Sequence, residues 1–155
     1  QAITQENINK NKKFAIKNLV NNAIKKIEIN KYKITDYNKK DLKEYIIKVA
    51  ENLNSSQNEL KEIFNQADID FEIFVDKYRT ELTWNTLIYV LYKNQTNVNI
   101  VDIDNEVEKI KENYNDEELK NIKKNLLNKR KEEKLGLFSR SHFSNLENTI
   151  SINFQ

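Results

Sequence analysis

The chain has 155 residues, with 26 basic and 24 acidic side chains and a net charge of +2. That balance lacks the basic excess of a dedicated nucleic-acid binder. Cys and Pro are absent, and Gly and His occur once each, at Gly136 and His142. Disulfides, thiolate sites and His-rich metal sites within one chain are thereby excluded, and a sandwich or barrel of tight hairpins is disfavoured. The longest purely apolar run, Leu87 to Tyr92, is far too short to span a bilayer. No Met is present, so Gln1 is read as a processed or trimmed start, with any signal peptide already removed.

Helical periodicity dominates. Thr4-Gln5-Glu6-Asn7 reads as the cap of a long first helix, whose buried stripe is expected at Ile16, Leu19, Val20, Ala23, Ile24 and Ile27. Asn38 caps a second helix with a stripe of Leu42, Ile46, Val49 and Leu53. Ser56-Gln57-Asn58-Glu59 is a capping box, opening a short helix with Leu60, Ile63 and Phe64. Asp70 caps a fourth helix running to about Lys93. Its first half is amphipathic through Phe71, Phe74, Val75, Tyr78 and Leu82. Its second half, Trp84 to Tyr92, is apolar on nearly every side, so it is expected to be surrounded by other elements.

Asp102 is the expected cap of a short helix carrying Val107, Ile110 and Tyr114. Asn115-Asp116-Glu117-Glu118 then reads as a fresh start, its acids suited to the positive end of a helix dipole. The last helix has apolar positions Leu119, Ile122, Leu126 and Leu127, a charged middle from Lys129 to Lys134, and then Leu135, Phe138, His142 and Leu146. The polar middle predicts a solvent-bridging stretch. Beyond it, Ile150, Ile152 and Phe154 alternate with Ser151 and Asn153, which is strand spacing and needs a pairing edge. The expected fold is all-α, a mainly helical single domain over 1–155 with a short C-terminal β-strand. Residues 1–114 would form its N-terminal helical part, with 115–155 packing back on it.

Chemistry-bearing patterns are sparse. The carboxylates lie among lysines on solvent-facing positions, His142 has no partner cluster in sequence, and there is no Gly-rich phosphate loop, Ser elbow or metal spacing. Catalytic residues, metal ligands and cofactors are therefore not expected. The basic run Lys123, Lys124, Lys129, Arg130, Lys131 and Lys134 is interrupted by Glu132 and Glu133 and carries no interleaved aromatics. An exposed helix face explains it better than a nucleic-acid patch. The aromatics are richer: seven Tyr, seven Phe and one Trp. Core packing takes most of them. Trp84, Tyr89 and Tyr92 lie off the main stripe and suit a groove, because such rings combine apolar area with a hydrogen-bonding edge.

Leu19-Val20-Asn21-Asn22-Ala23-Ile24 followed by Ile34 resembles the first-helix segment of SurA-type periplasmic chaperones. The resemblance continues through the capped helix from Asn38 to Asn54, Asn52-Leu53-Asn54-Ser55-Ser56, Glu59-Leu60 and Gln66-Ala67-Asp68-Ile69-Asp70-Phe71. It goes on through Phe74 and Tyr78-Arg79-Thr80-Glu81-Leu82. In order, these span roughly residues 3 to 114. Val98 to Ile110 is similar to the family's lead into its parvulin-type prolyl isomerase module. Lys129 to Leu135 and Ile150 to Phe154 are similar to its C-terminal helix and closing strand. Ala67 stands where the family has Gly, 35–37 resemble a small insertion, and the isomerase module is missing between Tyr114 and Glu117. The family's opening strand is also absent before Ala2.

The resemblance implies an ATP-independent periplasmic holdase for unfolded outer-membrane polypeptides. It would have no isomerase activity, no nucleic-acid partner and no stable membrane insertion, and it would be a monomer or weak dimer. Ile47, Trp84, Tyr89 and Tyr92 are the candidate client-binding residues. The competing expectation is a helical adaptor that docks one folded partner.

Overall fold

The computed structural model describes residues 5–149. Among them are six α-helices: α1 Gln5–Lys31, α2 Lys39–Asn52, α3 Gln57–Gln66, α4 Phe71–Tyr92, α5 Ile100–Glu108 and α6 Asp116–Thr149. Single 3-10 turns follow α4 at Lys93–Gln95 and α5 at Lys111–Asn113. The protein is all-α over these residues, and no strand occurs among them. The strand expected at Ile150 to Phe154 and the cap expected at Thr4 lie outside the described residues.

Most helix starts stand where the sequence places them. Asn38 Oδ1 accepts from the backbone N–H of Lys40 and Asp41. Ser56 and Glu59 exchange both bonds of a capping box, at 3.3 and 2.6 Å. The backbone N–H of Ser56 holds the Glu59 carboxyl below its usual range by stabilising the ionised form. Asp70 accepts from Glu72 N, and Asn115 accepts from Glu117 N and Glu118 N while its own N–H donates to Glu118. The start of α5 differs from expectation. Asn99, in extended backbone, caps it through Val101 N at 3.1 Å, and Asp102 sits in the first turn, facing the positive end of the dipole. The helix ends at Glu108, so Ile110 and Tyr114 lie beyond it.

Three helix ends share one device. Lys33, Asn54 and Asp68 adopt positive φ of 54°, 51° and 54°. In each case the left-handed residue donates back across three residues and the next residue donates across five: Ile34 N to Ile29 O, Ser55 N to Ala50 O, Ile69 N to Phe64 O. These are Schellman closures made without glycine. Ala67 itself keeps a right-handed φ of −85°, so glycine is not required there, and Asp68 takes the left-handed position.

The chain divides into two compact units. In the first, whose described residues are 5–87, Leu42, Val75 and Leu82 form a core against Tyr37, Ile46, Phe71, Phe74 and Tyr78. Aromatic contacts extend it. Tyr45 stacks on Tyr78 at 3.6 Å between centroids, and Phe64 meets Phe71 edge-on at 5.5 Å. Burial is the main cause that raises the Tyr78 phenol above its usual range. Leu60, Trp84 and Leu87 are fully buried.

The stripe expected on α1 packs only along one edge, where Ile24 is buried and Val20 half-buried. Ile16, Leu19, Ala23 and Ile27, which share about 80° of the helix, are all exposed. The inward face carries Asn21, Lys25, Glu28 and Ile29, with Ile24 at its edge. The reason is the reach of the lysines towards α4. Lys25 Nζ meets Glu81 Oε2 at 2.5 Å with its cation 5.6 Å from the Trp84 ring centroid, and Lys26 pairs with Asp76.

In the second unit, Ile88–Thr149, α5 packs on α6. Ile103 is buried, and Arg130 bonds Glu106 at 2.6 Å. Lys123 pairs with Asp104, and Lys134 bonds the Asn97 carbonyl. Each apolar position read for α6, from Leu119 to Leu146, is half-buried, and 128–133 are exposed, as the polar middle predicts. The expectation that Trp84 to Tyr92 is surrounded holds only in part. Trp84, Leu87 and Ile88 are buried, but Tyr89 and Val90 point to solvent.

Two leucines separate packed from unpacked helix faces. Leu87→Ala should cost about 2–5 kcal/mol in urea unfolding, whereas Leu19→Ala should stay within about 0.5 kcal/mol. Lys33→Gly relieves a left-handed side chain. Gly136→Ala fills a helix interior where the nearest atom to the new methyl is Arg140 Nη1 at 3.7 Å. Each should raise stability by about 0.5–1 kcal/mol.

Candidate peptide-binding surface

The four residues singled out in the sequence have different surroundings. Ile47 is half-buried on α2, and Trp84 is 2% exposed beneath Lys25. Tyr92 is half-buried, stacked flat on Phe138 at 4.8 Å, with its hydroxyl 2.7 Å from His142 Nδ1. Tyr89 is the exposed member, 54% accessible, with the Lys93 ammonium 5.7 Å from its ring centroid. Ile47 and Trp84 belong to the first unit, Tyr89 and Tyr92 to the second.

A more extensive apolar surface lies on the first unit, in an open groove of about 750 Å³ between the middle of α1 and the N-terminal half of α4. Its apolar lining comes from Phe14, Leu19 and Ile73, which are 68%, 65% and 61% exposed. Large apolar side chains at that exposure mark interaction surface when they are contiguous. The groove stays open because long side chains join α1 and α4 at and beyond its edge. The Lys25–Glu81 and Lys26–Asp76 pairs bridge the helices where short apolar side chains would have drawn the backbones together.

Most charges around the groove are engaged with one another, the exposed Lys77 standing apart. Lys26 pairs with Asp76, and Arg79 reaches Asp76 at 3.4 Å and Glu72 at 3.6 Å. Burial alone would lower the Arg79 guanidinium, but a hydrogen bond to Tyr37 and the two carboxylates outweigh it and hold the cation above its usual value. Asp70 is occupied in capping α4. The arrangement offers apolar contact framed by neutralised charge.

Sequence reasoning placed Leu19 in the core and did not single out Phe14 or Ile73. Nothing in these segments marked them, because the opposite face of α1, with Lys25 and Glu28, reads in sequence as solvent-facing and gains its partner 56 residues away. Three of the basic-run residues, Lys123, Arg130 and Lys134, are held by α5 or the segment before it. Among the described residues, no group of three or more His, Asp or Glu is placed to hold a metal ion. No helix among them is long and apolar enough to cross a membrane.

The chain matches no known family model, no curated protein and no solved structure.

Trp84 is the sole tryptophan, so its emission reports one site. Acrylamide should quench it several-fold less in the native protein than in urea.

Proposed function

We propose that this protein is an ATP-independent holdase of the SurA type, acting in the periplasm on unfolded outer-membrane polypeptides. The observation that carries the reading is the open groove lined by Phe14, Leu19 and Ile73, contiguous apolar surface held on a helical frame. Such a surface shields exposed client segments by weak apolar contacts, while the many flanking charges keep the complex in solution. Unfolded β-barrel chains are suited to it, because their alternating apolar segments aggregate in water. Binding is weak and adaptable, since each contact must offset the ordering of a flexible chain.

The order of SurA-like segments along the sequence supports the compartment and the client class. The finer fold assignment belongs to the same proposal: an arrangement like the SurA N-terminal domain, closed by a short strand at 150–154. So do the monomer or weak-dimer state and the lack of isomerase activity, the parvulin-type module being missing between Tyr114 and Glu117.

The test is dilution of a denatured β-barrel protein into buffer without nucleotide. A several-fold excess of this protein should suppress light scattering by the aggregating barrel. Scattering that proceeds unchanged, with tight capture of a single folded partner, would replace the holdase with the adaptor.

A further inference from the structure

We propose that the groove between α1 and α4 holds its client as an extended chain, uncharged over the contacted stretch, and that the Asn22 carboxamide binds the client's backbone. The proposal rests on the holdase reading and adds to it a site, a client conformation and a positioning group.

Three observations converge. First, the lining is apolar and open, through Phe14, Leu19 and Ile73, and its volume of about 750 Å³ lies in the range of roughly 300–1,000 Å³ that binding pockets occupy. Second, most of the rim charges are already paired: Lys26 with Asp76, and Arg79 with Asp76 and Glu72. Lys77 also lines the groove, but it is solvent-exposed, and an ion pair with an exposed cation contributes little. Any other charged client side chain would have to break one of these pairs to gain a partner, whereas a neutral segment leaves them intact. Complementarity therefore favours an uncharged stretch.

Third, Asn22 lines the groove, and its Oδ1 is shut off from water with no hydrogen-bond partner among the described residues. A buried polar atom in that state calls for a donor. The conformation of the client follows from which backbones have donors to give. In a helix the N–H groups beyond the first turn are bonded internally. An extended chain presents free N–H groups at alternate residues along one edge. Rotation about χ2 of Asn22 turns its oxygen to such an N–H, while the client's apolar side chains rest on Leu19 and Ile73.

Fluorescence anisotropy of the full chain tests this. The probe is a labelled ten-residue peptide alternating Ile or Leu with Thr or Ser. Its comparators are the same peptide N-methylated at its central residues and one with Lys and Glu replacing the polar residues. Leu19→Asp and Ile73→Asp should each weaken the parent peptide at least about tenfold, because burying a carboxylate against the client is costly. Both positions are exposed, so melting temperatures should hold.

N-methylation should weaken binding to the native protein roughly 3- to 10-fold, the loss of about one net hydrogen bond, and should lose that effect in Asn22→Leu. The charged peptide should bind more weakly than the parent. An N-methyl penalty that persists in Asn22→Leu, with Asn22→Ala as the second variant, would overturn the role of Asn22. Unchanged affinity in both Asp variants, with aggregation suppression by the native protein intact, would overturn the groove and leave the holdase standing. Groove binding that obeys every expectation, without aggregation suppression, would sink the holdase reading and leave a peptide site.

Discussion

The bridge between α1 and α4 is the contact that sets how α1 is turned in the first unit. Lys25 reaches Glu81 while lying against Trp84, and Lys26 reaches Asp76. The first pair is part-buried and the second solvent-exposed. Both contribute modestly to stability, the first because desolvation offsets its Coulomb attraction and the second because solvent screens it. Their larger consequence is geometric. Long side chains hold two helices apart where small apolar ones would bring them together. They also fix the rotation of α1, turning Asn21, Lys25 and Glu28 inward and leaving Ile16, Leu19, Ala23 and Ile27 on the outside.

Core and groove thus share α4 on different faces. Phe74, Val75 and Leu82 look towards the aromatic cluster of α2 and α3, while Ile73 looks out beside α1. Tyr45, Phe64, Phe71, Phe74 and Tyr78 bury large surfaces per residue. Rings of that size let a chain with a lean apolar complement pack one face of α4 and still leave apolar groups free on another.

In the second unit the dominant theme is the same use of charge at helix contacts. Glu106 and Asp104 on α5 engage Arg130 and Lys123 on α6, and Lys134 reaches a backbone carbonyl. Tyr92 is fixed between Phe138 and His142 by stacking and a hydrogen bond. A run of basic residues that could be taken for a ligand surface is in this way partly engaged within the fold. Arg130 shows it most plainly: its hydrogen bond to Glu106, with that carboxylate's charge, raises the guanidinium above its usual value.

Local rules determined the helical class and most helix boundaries, because capping depends on neighbours within three or four residues. Asn38, Ser56 with Glu59, Asp70 and Asn115 were legible for that reason. Asn99 was not, because Asp102 offered an equally good local pattern and only the backbone turn at Asn99 separates them. The half-buried positions of α6 were legible too, since a single apolar stripe on a polar helix has one way to face. Tertiary structure alone decided which side of α1 packs. Its sequence offers an apolar stripe and, opposite, a polar face whose lysines find acids about fifty residues away in the chain. Periodicity measures apolar spacing along one helix and carries no information about such distant partners. For the same reason the groove residues Phe14 and Ile73 could not be read from their own segments: exposure is a property of what lies across the gap.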